Sequence, residues 1–569
     1  MIRLVMSLGS VRCRVLAVVC MAGVLPLAAP LAPARAQAPT DTARYVVLFS
    51  SRRAGYYNEW RVGRDLHAVF DYNDRGRGPH LEASLRADSG DVPVALTVVG
   101  HEYLKDTVDE RFTIERDRAA WTNTIEHGSR AAGDHGFYLT ATESPIEYAL
   151  LVRAARRAGG KLPLLPSGEA TVTSVGALTI DAGGTPVHLT QYDIGGLDFS
   201  PVPVWLDDSG ERFAVVSSWS SIVPVAWERA VPRMIAAQDS AESARYLELA
   251  RELGHRPAGA LVIEHARLFV AESATVRPRT TVVITGQRIT AMGPDGAVAI
   301  PAGAQIIDAT GKTLLPGLWD MHVHIQPGAQ GLLHIAAGVT SARDMGNDTV
   351  GVLALRRRFN TDSLIGPRLI LAGLIDGSGP YQVPIGMVAD DSASARRAVA
   401  WYAAHGYEQI KIYSSMKPAL VPSIIADAHA RGLRVSGHVP AFMTAEQVVR
   451  LGFNEVQHAN FLLLNFMDSV KDTRTMARFT AIGAHGGELD FASLRVRRFV
   501  ALFKARGVDI DPTLVAFEAM FDARRSAPRA SCITTTSAAR SRRGSSPMSC
   551  SWTATRRHRS ATSGARRWW

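Results

Sequence analysis

The sequence predicts an α/β protein built round a (β/α)8 barrel that is incomplete at its C-terminal end. A small β module stands ahead of the barrel, and a separate, largely β domain precedes that. Three observations lead there. After residue 314 short apolar strands alternate with helical text. Before residue 257 short alternating stretches are divided by Gly, Pro, Asp and Asn. Two histidines, His322 and His324, follow the first apolar strand of the alternating region. A chain of 569 residues has room for about two to four domains.

Residues 1–36 are set aside before any fold argument. Arg3, Arg12 and Arg14 accompany the apolar run LAVVCMAGVLPLAAPLAP, and Ala34-Arg35-Ala36 supplies a small-x-small cleavage pattern before Gln37. This reads as a secretory signal peptide, with Pro26, Pro30 and Pro33 interrupting what would otherwise resemble an anchor. The expectation is a protein exported to the periplasm or the extracellular space, with no stable membrane span after cleavage. The formal charge of +10 is concentrated at one end. From residue 521 onward there are 11 Arg, no Lys and one acidic residue, Asp522, so residues 1–520 carry 52 basic and 52 acidic side chains. A neutral body of this kind argues against nucleic acid as a partner. Cys13 and Cys20 lie in the export segment, and Cys532 and Cys550 near the other end. The body between them relies on no disulfide, although export would permit one.

Residues 41–257 contain RYVVLFS, VPVALTVVG, GFYLTA, VHLTQYDI and RFAVVSSW between turn signals, with helical text at 144–157 and 240–253. That is the text of a largely β domain closed by a helical connection. Its histidines, among them His67, His80, His101 and His188, are scattered and read as surface or packed residues. Residues 258–316 (GALVIEHARLFV, TTVVITGQRITAMG, AQIIDATGKTLLPG) give a small β module with hairpin glycines. Residues 317–520 give seven strand candidates: LLPGLWDMHVH, GVTSARDM, PRLILAG, EQIKIYSS, RVSGHVP, NEVQHAN and VDIDPTLVAF. Helical text such as SARRAVAWYAAHG lies between them. A closed barrel of this type needs eight strands.

His322 and His324 stand two apart on a strand, so their side chains leave the same face. At the C-terminal end of a barrel strand, two neutral imidazoles on one face can hold a metal ion. Lys411 alternates with Ile410 and Ile412 and so points inward, where a charged ammonium is costly. A deprotonated lysine beside metal can take up carbon dioxide as an anionic carbamate; a snorkelling or substrate-facing lysine is the alternative. His438 and His458 each end a strand of their own. Four histidines and a lysine at the ends of strands one, four, five and six form a constellation that no single member would establish. Asp320 precedes the histidine pair and suits either a capping or an orienting role.

The text LLPGLWDMHVH, AAGVTSARDMG, GPRLILAG, QIKIYSS, SGHVP, QHAN and DPTL resembles the amidohydrolase superfamily over about 258–520, in the branch of imidazolonepropionase-like hydrolases with exported dipeptidases and prolidases. The resemblance implies that His322 and His324 bind one divalent ion, that Lys411 is carboxylated by carbon dioxide and bridges two ions, and that His438 and His458 bind the second. Zinc is the metal it suggests. The implied reaction is hydrolysis of an amide or peptide-like C–N bond, in a dipeptide-like or cyclic small-molecule substrate, by metal-activated hydroxide.

The family also places an aspartate after its eighth strand, as ligand and proton carrier. No such residue is found here, so no catalytic residue is assigned. Asp511 belongs to the seventh strand and reads as a poor substitute, and Asp522 has no strand before it. Residues 521–569 read as out-of-frame translation or a disordered basic tail, with a phosphate- or membrane-binding basic arm as the alternative. The chain as written is therefore expected to turn over little or no substrate. A non-catalytic envelope binding protein on an inactive hydrolase scaffold is the competing reading, and self-association is left open.

Overall fold

The computed structural model describes residues 41–521 apart from 132–135, 183, 212 and 362. The export segment read over 1–36, Asp522 and the basic tail after Phe521 lie outside the described residues. The architecture is the α/β one that the sequence predicts, with parallel barrel strands and a large separate β-sheet.

The N-terminal part forms one 15-stranded sheet, antiparallel apart from the parallel pair Phe137–Tyr138 and Lys161–Leu165, in which the first strand, Ala43–Phe49, pairs antiparallel with Ser220–Pro224. Alternation drives it. In Asp65–Tyr72 every second residue, Leu66, Ala68, Phe70 and Tyr72, is buried, as a half-buried pleated strand requires. The helix Tyr148–Arg157 buries Leu150, Leu151 and Val152 against this sheet. A second helix, Val231–Leu253, begins well before the helical text at 240. Pro232 occupies its first turn, where the missing N–H costs nothing. Its Tyr246 joins the barrel's core cluster. Ser200 Oγ accepts the Ala329 amide at 3.1 Å and lies 3.1 Å from the Tyr246 hydroxyl, so this part is fastened to the barrel by both packing and polar bonds.

A five-stranded sheet over Leu261–Leu314 follows. The barrel strands are Leu318–Val323, Val339–Asp344, Arg368–Asp376, Gln409–Ile412, Arg434–Gly437, Glu455–Gln457 and Asp509–Asp511, all parallel and neighbours in that order. A two-residue strand, Met387–Val388, pairs with the third. The fourth strand is buried along its whole length, as expected of a parallel strand covered on both sides. At the two lateral edges apolar side chains are half exposed: Leu318 at 54% and Trp319 at 50% on the first strand, Ile510 at 49% on the seventh. Among the described residues no helix is long and apolar enough to cross a membrane.

Between the two edges the barrel interior is cross-braced. Arg343, on the second strand, donates to both Glu455 oxygens on the sixth at 2.7 and 2.8 Å, to Asp511 on the seventh at 3.3 Å and to the Met321 carbonyl on the first at 2.8 Å. Arg343 is 5% exposed and Glu455 4%.

Candidate metal centre

The strand order brings together all five residues singled out from the sequence. His322 lies within the first strand and His324 just beyond it. Lys411 lies in the fourth, and His438 and His458 directly follow the fifth and sixth. Ring centroids are 5.5 Å apart for His322 and His324, 4.9 Å for His322 and His458, and 4.7 Å for His438 and His458. The Lys411 ammonium nitrogen stands 3.4 Å from His322 Nε2.

Local backbone devices set these positions. Gly437 has φ +139°, and a Cβ there would meet the Ile412 carbonyl oxygen at 2.1 Å, so only glycine lets the fifth strand approach the fourth so closely before His438. Gly346, at φ +132°, is packed on Leu374 in the same way and presents its carbonyl to His324. His458 itself has φ +65°, a left-handed conformation that costs a non-glycine residue energy and that surrounding structure must enforce. Its amide donates to the Asp511 carbonyl at 2.8 Å.

The histidines share a pattern that spacing alone does not reveal. Each commits Nδ1 to a protein oxygen: His322 to Asp511 Oδ2 at 2.7 Å, His324 to the Gly346 carbonyl at 2.5 Å, His438 to Ser414 Oγ at 2.7 Å and His458 to Thr513 Oγ1 at 2.7 Å. Engaging Nδ1 sets the ring orientation, as the partners of metal-bound imidazoles do. Burial, reinforced by Lys411, holds His324 down to about 4 and His322 well below the usual imidazole range. Burial also pushes His438 and His458 down. All four rings are therefore neutral at physiological pH, the form that binds metal. Lys411, 1% exposed, is brought by burial down to about 7, with Asp344 and Asp511 opposing that shift.

Asp344 is 1% exposed and accepts the amides of Ile325 and Gly346 and the Asn347 side chain at 2.9, 3.0 and 2.9 Å. It holds the loop whose carbonyl orients His324. Asp320 accepts the His322 amide at 3.1 Å, a backbone-capping role. Asp511, which the sequence reading set aside, is the carboxylate that holds His322.

Among the described residues no three His, Cys, Asp or Glu side chains are drawn together as a ready-made metal site. Four neutral imidazoles beside a buried lysine are nonetheless a donor set of the kind that suits a divalent ion. A cavity of about 1380 Å3 opens from His324 and Tyr413 and is walled on its other side by N-terminal residues including Arg75, Gln191 and Trp219.

No family model matches the chain. Short stretches are similar to curated proteins: 34% identity over 87 residues with adenine deaminase 3 of Rhizobium meliloti (strain 1021), covering 15% of this chain and 14% of the relative. A dihydroorotase of Mycobacterium tuberculosis is 39% identical over 77 residues, 13% of this chain and 17% of the relative. The chain thus spans roughly a seventh of the length of the curated relatives it matches. Among solved structures, that of a Xaa-Pro dipeptidase with bound methionine in the active site aligns over 49% of this chain and 75% of its own. Its identity is 19% and its TM-score 0.34, too loose a match to carry a conclusion.

Proposed function

We propose that the barrel is a metal-dependent hydrolase of the amidohydrolase superfamily that cleaves an amide-type C–N bond in a small, dipeptide-like or cyclic amide substrate outside the cytoplasm. The observation that carries the reading is the set of four neutral imidazoles, each with Nδ1 committed, around a lysine 1% exposed. The short similarities to adenine deaminases and a dihydroorotase support it. In this reading His322 and His324 would hold one divalent ion and His438 and His458 another, with carboxylated Lys411 as the anionic ligand between the two pairs; zinc would suit the nitrogen-rich set. When bound, such ions polarise a carbonyl and lower the pKa of water.

The protein's own groups prepare the site. Neutral Lys411 adds through its amine nitrogen to carbon dioxide; one N–C bond forms, one N–H proton leaves to solvent, and the carbamate anion remains. Asp511, held between His322 and Arg343, orients the imidazole. Asp344 steadies the loop beside His324. The proton-carrying aspartate expected after an eighth strand is not among the described residues, so this reading assigns it no residue.

The test is 13C NMR of the full chain in 13C-bicarbonate with zinc, followed by amide-hydrolysis assays. A carbamate carbon resonance that disappears in Lys411→Ala is the expected result. Its absence from the unaltered, zinc-loaded protein would remove the lysine from the metal site.

A further inference from the structure

We propose that the wall which the N-terminal β domain contributes to the cavity binds a bulky, uncharged apolar group carried by the substrate amide, an acyl chain or an aromatic ring, with Trp219 as its anchor. The inference rests on the hydrolase reading and narrows the class of substrate.

One continuous cavity is lined by His324 and Tyr413 of the barrel and by the β domain, so a molecule with its amide at the candidate metal ligands has its remainder in that space. The volume is about 1380 Å3. Sites for small-molecule ligands measure about 300–1,000 Å3, and a small amide alone would leave much of this wall in water. Val175, Pro203, Val215, Trp219 and Ile235 of the β domain line the cavity, and Ile385 joins them from the loop that follows the third barrel strand. Val175 and Trp219 are each 40% exposed. Exposed apolar side chains gathered along a groove mark a binding surface.

The backbone places two of these side chains. Val175 is the extra residue of a β-bulge: where Glu169–Ala182 pairs with Thr185–Gly195, Ser174 lies opposite Tyr192 and Gly176 opposite Gln191. Bulges of this kind re-aim a side chain and recur beside active sites. Trp219 stands on the turn between the strands Phe213–Val216 and Ser220–Pro224. Ser217 Oγ accepts the amides of Trp219 and Ser220 at 3.2 and 3.0 Å, and the Trp219 carbonyl accepts the Ser50 amide at 3.0 Å. The indole meets the Phe49 ring nearly at a right angle, 84°, with centroids 6.2 Å apart. These contacts hold at the cavity wall a large aromatic surface that the protein does not bury for itself.

The polar side chains of the same wall do not select a charge. Gln191 and Gln238 donate to Asp193 and to the Val216 carbonyl at 3.0 and 3.3 Å. Charged groups of both signs line the cavity, among them Asp239, Glu242 and Arg245. A charged tail would have to shed water against the apolar side chains, which is costly, whereas each methylene or ring carbon placed there gains from leaving water.

The experiment is calorimetric titration of the zinc-treated full chain with straight-chain amides from butanamide to octanamide, with 2-naphthylacetamide, and with octanamides whose terminal methyl is replaced by a carboxylate or an ammonium. The expected result is a Kd that falls roughly threefold for each added methylene, and charged analogues that bind more weakly than octanamide. Tighter binding of octanamide than of the naphthyl amide assigns a chain, and the reverse a ring. The gradient should collapse in Trp219→Ala, which removes the anchor, and in Val175→Trp, which fills the space, survive in part in Trp219→Phe, and persist in the control Ile289→Ala, at a side chain 60% exposed in the small β module. Thermal melts confirm that each variant folds. No gradient, a gradient intact in Trp219→Ala and Val175→Trp, or a charged analogue that binds as tightly as octanamide would each overturn the proposal. Metal content is measured on the same samples. Zinc bound without a gradient refutes this inference alone, whereas a Trp219-dependent gradient without zinc refutes the metal reading and leaves the apolar site standing.

Discussion

Replacing Arg343 with methionine should destabilise the barrel more than any exposed charge change could. Arg343 and Glu455 are 5% and 4% exposed and joined by bonds of 2.7 and 2.8 Å. Unit charges roughly 4 Å apart interact by about 4 kcal/mol at an effective dielectric of about 20. Removing one partner of a buried pair typically costs about 3–5 kcal/mol, because the other charge is stranded. For a unit of barrel size, that corresponds to a fall in melting temperature of roughly 6–20 °C. The double variant Arg343→Met with Glu455→Leu leaves no stranded glutamate and should recover most of the loss. Arg343 also holds Asp511, which holds His322. Zinc affinity should therefore fall in the single and double variants alike. Differential scanning calorimetry and competitive zinc titration measure the two effects. A shift under about 2 °C in the single variant, or a double variant no more stable than the single one, would refute the view that the pair braces the barrel.

Three further outcomes are expected. Ser414→Ala, which frees His438 Nδ1, should lower zinc affinity by about 10–100-fold with little change in melting temperature, as read by chelator competition. Phe453→Ala, at a side chain 2% exposed, should cost about 3–5 kcal/mol in denaturant unfolding, while Leu318→Ala, at 54% exposure on the barrel edge, should change stability by less than about 0.5 kcal/mol. Burial, with Glu143 and Glu110 adding to it, raises Glu102 from 4.5 to about 7. Its contribution to stability is therefore fully present below pH 4.5 and lost as pH rises through 7, so Glu102→Gln should raise the melting temperature at pH 8 and leave it unchanged at pH 4.

The clustering of the five candidate residues was legible because each lies at or near the end of a barrel strand, where period-two alternation and barrel geometry together fix which way a side chain points. Lys411 between Ile410 and Ile412 is the clearest case. The contact of Asp511 with His322 was not legible, for a different reason. The two are 189 residues apart, and only the curvature that brings the first and seventh strands to the same mouth makes them neighbours. Arg343 and Glu455, 112 apart, escaped notice likewise. Arg75 lies in DYNDRGRGPH, which reads as an ordinary charged turn, and its place on the cavity wall depends on how the β domain seats on the barrel. The start of the helix Val231–Leu253 was missed although Pro232 marked its first turn.

The measurement that bears most directly on the metal centre is the metal stoichiometry of the full chain, purified with zinc and exhaustively desalted, compared with its His322→Ala and His438→Ala variants. Inductively coupled plasma mass spectrometry should find close to two equivalents of divalent metal per chain in the unaltered protein and about one in each variant. Less than half an equivalent in the unaltered protein, or an equal content in all three, would contradict the account.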